Sequence, residues 1–387
     1  MQIWTLHSQL LVAIQYNDSS TVESLLKRGV DSDTRIHDYG THHTPALCLC
    51  AQRGHLDLVR LLLSHGCSIN QVDTQGLSAL HFACNHLFVE IAKLLIGNRA
   101  QLNMASNYGH IPLHLAAQQP SLELVRLLVE SGSDLEKKDL DGRTPLVLAV
   151  VSNQFEIVEY LVLQGSDVNT QDNCGNTPLL HAINSGLTIN SDIVKILLQA
   201  GANPNNPNNY GLNPLITTIR RCSEHTLDGQ DTVRHLIDHN CNLNVYEYDS
   251  IVCGENALHL AITRNQDSIT EMLVRAGADV NAPNLMGLSP ISRLAKEGKT
   301  DLMKMMIASG ADTNLNTNAS LNDAIAVNNF RDHEMNHLIK DQNNCFPRLK
   351  HLCRVRLRNW LERRADTVVK QIQIPTSIRQ YLLLMDI

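Results

Sequence analysis

The chain repeats itself, and the period limits what it can fold into. LLLSHGCSIN (61–70) recurs as LLIGNRAQLN (94–103), LLVESGSDLE (127–136) and YLVLQGSDVN (160–169). It returns as LLQAGANPN (197–205), HLIDHNCNLN (235–244), MLVRAGADVN (272–281) and MIASGADTN (306–314), and SLLKRGVDSD (24–33) is an earlier copy. The Gly66 position is filled by Arg99, Gly132, Gly165, Gly201, Asn240, Gly277 and Gly310, mostly 33 residues apart, with intervals of 36, 39 and 37 where loops are inserted. A second landmark precedes each copy in fixed phase: HTPALCLCA (43–51), LSALHFACN (77–85), HIPLHLAAQ (110–118), RTPLVLAVV (143–151) and NTPLLHAIN (176–184). LNPLITTIR (212–220), ENALHLAIT (255–263) and LSPISRLAK (288–296) continue it.

Each period reads as two short helices. Proline suits a first helical turn, where its missing N–H would be unpaired anyway. The Thr or Ser before it can cap a helix N–H. Glycine after the second helix permits the left-handed turn that ends it. Asn240 tolerates that conformation, whereas Arg99 should be strained or locally rearranged. Neither helix can bury its apolar face alone, so neighbouring copies must stack into a solenoid.

A 33-residue period with a TPLHxA-like motif resembles the ankyrin repeat, and the resemblance spans roughly residues 5–315. It implies an all-α solenoid of about eight to nine helix-turn-helix repeats with loop fingers. The motif histidine survives at His81, His114 and His259. We expect it to tie the helix start to the adjacent turn, because no acid or nucleophile at useful spacing accompanies all three.

Composition agrees with this reading. Hydrophobic residues make up 43% of the chain but aromatics only 4%, so the core must be Leu, Ile, Val and Ala. A net charge of −7 argues against a nucleic-acid partner. No long uncharged apolar stretch or secretory leader stands out, so neither a membrane span nor export is expected. The ten cysteines include no CxxC pair. Reduced, buried packing thiols are expected rather than a metal site. No phosphate-binding loop, HExxH, GxSxG or dinucleotide fingerprint is present, so no enzyme activity and no cofactor is expected.

Specificity in such an array can reside at the finger tips, which vary without harming the core. The tips carry Asp73, Gln75, Asn107, Tyr108, Asp141, Asn173, Asn209 and Tyr210. One finger, VYEYDSIVCGEN (245–256), is longer and holds Tyr246 and Tyr248. Asn107, Tyr108, Tyr210, Tyr246 and Tyr248 are the candidate contacts to a target protein. The last two rings could equally pack back onto their own loop. The insertion within RRCSEHTLDGQDTVRHL (220–236) reads as a tolerated surface loop.

After Asn314 the pattern fades through a partial repeat and linker (316–344). From Arg348 onward nine Lys/Arg face three Asp/Glu. Leu349, Cys353, Leu357 and Leu361 recur every four residues, with Leu352 beside them, on one helical face. Ile378, Tyr381, Leu382 and Met385 suggest a short final helix beyond Pro375. From these residues alone the tail could cap the array, or be a calmodulin-type or membrane-surface helix.

The tail as a whole resembles a SOCS box, the elongin-binding module that follows ankyrin arrays in the ankyrin repeat and SOCS box family. LxxxCxxxL is matched by Leu349, Cys353 and Leu357 within a box at about 348–361. An LPLP-like segment is matched by Ile372-Gln373-Ile374-Pro375, and a YLL-type end by Tyr381-Leu382-Leu383, within a cullin box at about 371–384. The module is expected over 345–387. The resemblance implies a substrate-recognition adaptor of a cullin-RING ubiquitin ligase. Leu349, Leu352, Cys353 and Leu357 would meet elongin C, which brings elongin B. Ile372, Ile374, Pro375 and Tyr381 would meet cullin-5 with its RING partner. Gln373 stands where the family's segment has its first proline, a departure that bears on the cullin contact and not on the elongin one. The expected setting is intracellular, the cytoplasm rather than the nucleus.

Overall fold

The computed structural model describes residues 2–38, 42–184, 186, 189–223, 227–246, 254–284 and 287–312. The chain divides into two compact units, Met1–Asn203 and Pro204–Ile387. Among the described residues each is built of helix pairs, as the period predicts.

In the first unit the leading helices of the pairs are α1 (Gln2–Gln15), α3 (Ala46–Arg53), α5 (Ala79–Asn85), α7 (Pro112–Ala117), α9 (Pro145–Val151) and α11 (Pro178–Asn184). Each packs on the next to form one row. The trailing helices are α2 (Ser19–Lys27), α4 (Leu56–Ser64), α6 (Val89–Gly97), α8 (Leu122–Glu130), α10 (Phe155–Leu163) and α12 (Ser191–Gln199), stacked as a second row. The second unit repeats the plan. Leading helices α13 (Pro214–Arg221), α15 (Ala257–Thr263) and α17 (Pro290–Glu297) pair with trailing helices α14 (Leu227–Asp238), α16 (Asp267–Arg275) and α18 (Thr300–Ala308).

The rows exist because the helices are too short to stand alone. Leading helices are buried nearly all round; in α9 every residue from Pro145 to Val150 is buried. Trailing helices bury one stripe, such as Leu124, Val125 and Leu128 on α8 or Ile157, Val158 and Leu161 on α10. Each such leucine contributes about 2 kcal/mol on burial. Prolines open α7, α9, α13 and α17.

The turn after each trailing helix is left-handed at Gly66, Gly132, Gly165, Gly201, Gly277 and Gly310. Arg99 and Asn240 adopt it too, at φ 65° and 61°. Arg99 therefore keeps the turn instead of rearranging it.

One expectation, on capping, is corrected in detail. Asn213, Asn256 and Thr177 cap their helices, receiving the N–H groups of Leu215, His259 and Leu180. Ser78, Thr144 and Ser289 do not. The Ser78 hydroxyl instead meets His81 Nδ1 at 2.8 Å and that of Ser289 meets Ser292, while Thr144 Oγ1 is buried without a partner. Strands β1 (Arg35–Asp38) and β2 (His42–Pro45) form an antiparallel hairpin, with Ile36 opposite Thr44.

A ladder of side chains ties repeat to repeat. In the first unit Asp33, Asn70, Asn103, Glu136 and Asn169 accept the backbone N–H of Ser68, Gln101, Asp134, Asp167 and Asn203 at 2.7–2.9 Å. In the second, Asn205, Asn244 and Asn281 accept those of Asn242, Asp279 and Asp312. Each bond adds about 1 kcal/mol. All pin the turn that follows a trailing helix.

Candidate functional site

The fingers are compact, self-braced turns. Asp73 Oδ1 receives the N–H groups of Gln75 and Leu77, Asp139 those of Asp141 and Arg143, and Asp172 those of Cys174 and Asn176. Asn208 does the same for Tyr210 and Leu212. Gly142 sits at φ 80°, and a Cβ there would lie 2.6 Å from Asn173 Oδ1 of the next finger. Neighbouring fingers thus touch through backbone, which only glycine allows.

That contact redefines the candidate Asn107 and the tip residue Asn173. Asn107 donates its backbone N–H to Gln75 O and its amide Nδ2 to Thr74 O. Asn173 repeats this on Asp141 O and Leu140 O. Both side chains stitch fingers together. The tyrosines project: Tyr108 is 57% exposed and Tyr210 is 70% exposed. Tyr246 is 45% exposed, and its hydroxyl donates to Pro283 O on the following finger, so it both leans and projects. Tyr248 lies outside the described residues. Sequence reading missed Leu140, exposed beside the Tyr108 finger, and Cys174, also exposed. Their position directly before or at the tip was the available signal.

Polar charge under the tips is internally matched. Asp139 is buried and receives Arg143 Nε at 2.9 Å, with His110 Nε2 at 3.4 Å. Asp172 is pushed up by burial, but hydrogen bonds from Asn176 and His181 outweigh this and hold its carboxyl below its ordinary value. In the groove between α6 and α8, Lys93 pairs with both Glu90 and Glu123.

The motif histidines are structural. His81 Nδ1 accepts the Ser78 N–H, so Nε2 carries the proton and donates to His110 O in the next finger. His114 bridges Ile111 N–H and Arg143 O in the same way, and His259 Nε2 donates to Leu288 O. Burial lowers the pKa of His81 and His114 to about 4. They are neutral braces at physiological pH, and the hydroxyl beside His81, that of Ser78, is itself buried.

Cys48, Cys50 and Cys84 are buried, and burial pushes their thiols up; Cys67 reaches about 11. Such thiols pack rather than react. Cys174 is the exception in exposure. Among the described residues no group of three His, Cys, Asp or Glu side chains could hold a metal ion. No described helix is long and apolar enough to cross a membrane.

The fold and its finger row define an ankyrin-repeat protein, and the family comparison agrees. The ankyrin-repeat profile matches residues 10–106, 88–172, 158–247, 190–284 and 221–317, which together span most of the chain. A SOCS box profile matches 345–383. The chain belongs to the ankyrin repeat and SOCS box family. A search of curated proteins gives no match. The pairing is that of substrate-recognition adaptors of cullin-RING ligases, and both modules are typically non-catalytic. SOCS boxes generally bind elongin B/C and a cullin. The residues expected to do so, Leu349, Leu352, Cys353, Leu357, Ile372, Ile374, Pro375 and Tyr381, lie outside the described residues.

Proposed function

We propose that this chain is the substrate-recognition subunit of an elongin B/C–cullin-RING ubiquitin ligase, working in the cytoplasm. One observation carries the reading: a SOCS box match at 345–383 lies C-terminal to a repeat match ending at 317. Elongin C takes Leu349 and Cys353 in its pocket, with Leu352 and Leu357 along the same groove. Cullin-5 meets Ile372, Ile374, Pro375 and Tyr381. The array, over about 5–315, holds a target protein through the exposed tips Tyr108, Tyr210 and Tyr246, joined by Tyr248 two residues further along the chain. The adaptor supplies proximity, making the encounter of a target lysine with a charged ubiquitin carrier effectively intramolecular. It needs no nucleophile of its own.

Co-expression of the full chain with elongins B and C tests this. Stoichiometric co-purification is expected for wild type and its loss for Leu349→Ala/Cys353→Ala, with the fold of the variant checked by circular dichroism. Failure of a folded wild-type chain to retain elongin C overturns the reading. Gln373→Pro should then strengthen cullin-5 retention by the purified ternary complex.

A further inference from the structure

Within the trailing row of the first unit, α8 and α10 depart from their neighbours in charge. Helices α2, α4, α6 and α12 each carry one acid and one base, as Glu90 and Lys93 do on α6. Together α8 and α10 carry Glu123, Glu130, Glu156 and Glu159 against Arg126 alone. Helix-end compensation explains half of this. Glu123 and Glu156 lie in first turns, where an acid is favoured. Glu130 instead closes α8 at the unfavourable end. Glu159 fills the fifth position of α10, where α4, α6, α8 and α12 place a Lys or Arg.

The cations nearby are already engaged. Lys93 bridges Glu90 and Glu123 at 2.9 Å. Arg126 lies over the Tyr160 ring, 5.2 Å from its centroid, instead of on a carboxylate. Glu130, Glu156 and Glu159 are exposed and form no ion pair among the described residues. Burial, and after it the adjacent Glu130, raises the Tyr160 phenol above its ordinary value, so acid and ring are neighbours.

These acids border apolar surface. The groove between α6 and α8 is open, encloses about 460 Å³, and is lined by the half-buried Leu122 and Leu127 with Lys93, Glu123, Arg126 and Glu130. Arg126 and Glu130 belong both to this groove and to the surroundings of Tyr160, so the apolar strip continues over α8 onto α10. At its far end Leu163 is 75% exposed, where α4, α6, α8 and α12 end on Ser64, Gly97, Glu130 and Gln199. A single exposed leucine is ordinary. One that ends a strip of Leu122, Leu127 and Tyr160 beside three unpaired acids is not.

We infer that the outer face of α8 and α10, with the groove between α6 and α8, is a docking site for a basic amphipathic helix of a partner protein. The apolar side of that helix covers Leu122, Leu127, Tyr160 and Leu163, and its lysines or arginines meet Glu130, Glu156 and Glu159. Charge sets the sign of the partner: over α6, α8 and α10 five glutamates stand against Lys93 and Arg126. Shape sets its form. The main-chain groups of α8 and α10 are spent inside their own helices, so an extended strand would find no edge to pair with. A helix brings its own backbone bonds and lays its apolar ridge into a groove between helices. The site uses none of the finger tips, so it goes beyond the adaptor reading and does not rest on it.

The test mixes the full chain with a fluorescein-labelled peptide of about 14 residues, lysine and leucine set in helical period. A scrambled peptide of the same composition and a leucine–glutamate counterpart are the controls. Anisotropy should rise with the amphipathic lysine peptide alone and fall as salt is raised. Glu130→Gln/Glu159→Gln should weaken binding about tenfold, and Leu163→Ser by a similar factor. Glu23→Gln/Asp57→Asn, which removes the same charge from α2 and α4, should leave it unchanged. Circular dichroism checks each fold; should the first double variant not fold, Leu163→Ser, at an exposed site, decides alone. Absence of binding, equal loss in the two double variants, equal binding of the scrambled peptide, or unchanged binding on Leu163→Ser each overturns the assignment.

Discussion

His81 and His114 are fully buried, and each links its own helix start to the finger of the following repeat. Because burial lowers both to about 4, the unfolded chain, whose histidines titrate near about 6.5, binds protons that the native state refuses. Their contribution is therefore complete above about pH 6.5 and is lost as the pH falls toward about 4. Each group accounts for about 3 kcal/mol at the acid end. His259 is lowered by burial as well and acts in the same direction. Urea unfolding followed at pH 7.5, 6 and 5 should show a midpoint that drops steadily; a midpoint constant over that range contradicts the linkage. The bracing role of these histidines was legible in the motif. Their reach across 29 residues to His110 O and Arg143 O was not, since a repeat read singly does not show what lies above it.

At the scale of elements, what matters is how helix ends are closed. Helix α13 ends without a glycine turn, and its carbonyls are taken up from the next repeat instead. Gln266 Nε2 donates to Ile219 O at 3.0 Å and to Cys222 O at 2.6 Å. Gln266→Ala leaves both acceptors buried and should cost about 2 kcal/mol, read as a lowered denaturation midpoint of the purified chain. A loss below a few tenths would mean that water replaces the amide. Fingers offer a paired test. Gly142 and Gly165 both have positive φ, but only at Gly142 would a methyl strike the neighbouring finger. Gly142→Ala should therefore destabilise by about 1 kcal/mol more than Gly165→Ala. The helices, their order and their glycine turns were readable from periodicity because each is encoded within one repeat. The hairpin at 35–45 was not: its strands are four residues long and carry no apolar alternation strong enough to mark them. The expected Thr144 cap failed for the opposite reason, since the residue type was right but the hydroxyl makes no cap bond.

Within each unit the described helices pack chiefly on those of the adjoining repeats, so stability is approximately a sum of nearest-neighbour terms and is least where a neighbour is missing. Hydrogen exchange should find the amides of α5 and α7, sandwiched within the first unit, slower than those of α1. Uniform protection from α1 to α11 would mean that the first unit opens only as a whole. The boundary between array and tail was visible in composition, where the basic terminal segment breaks from an acidic chain, but the nature of the tail came only from its resemblance to a SOCS box. Which finger tips project was not visible, because exposure depends on how far each tip is held by the next.

The ladder between repeats also has an evolutionary meaning. At every rung one residue gives a side chain and the other its main-chain amide, to which Ser68 adds its hydroxyl. The receiving positions hold Ser68, Gln101, Asp134, Asp167, Asn203, Asn242, Asp279 and Asp312. Any residue but proline can supply that amide, so drift at these sites leaves the bond intact, whereas the giving site is confined to short acceptors such as Asp, Asn and Glu. Half of each rung is thus free to vary, and a lineage can rewrite that rim of the array without first re-securing its frame.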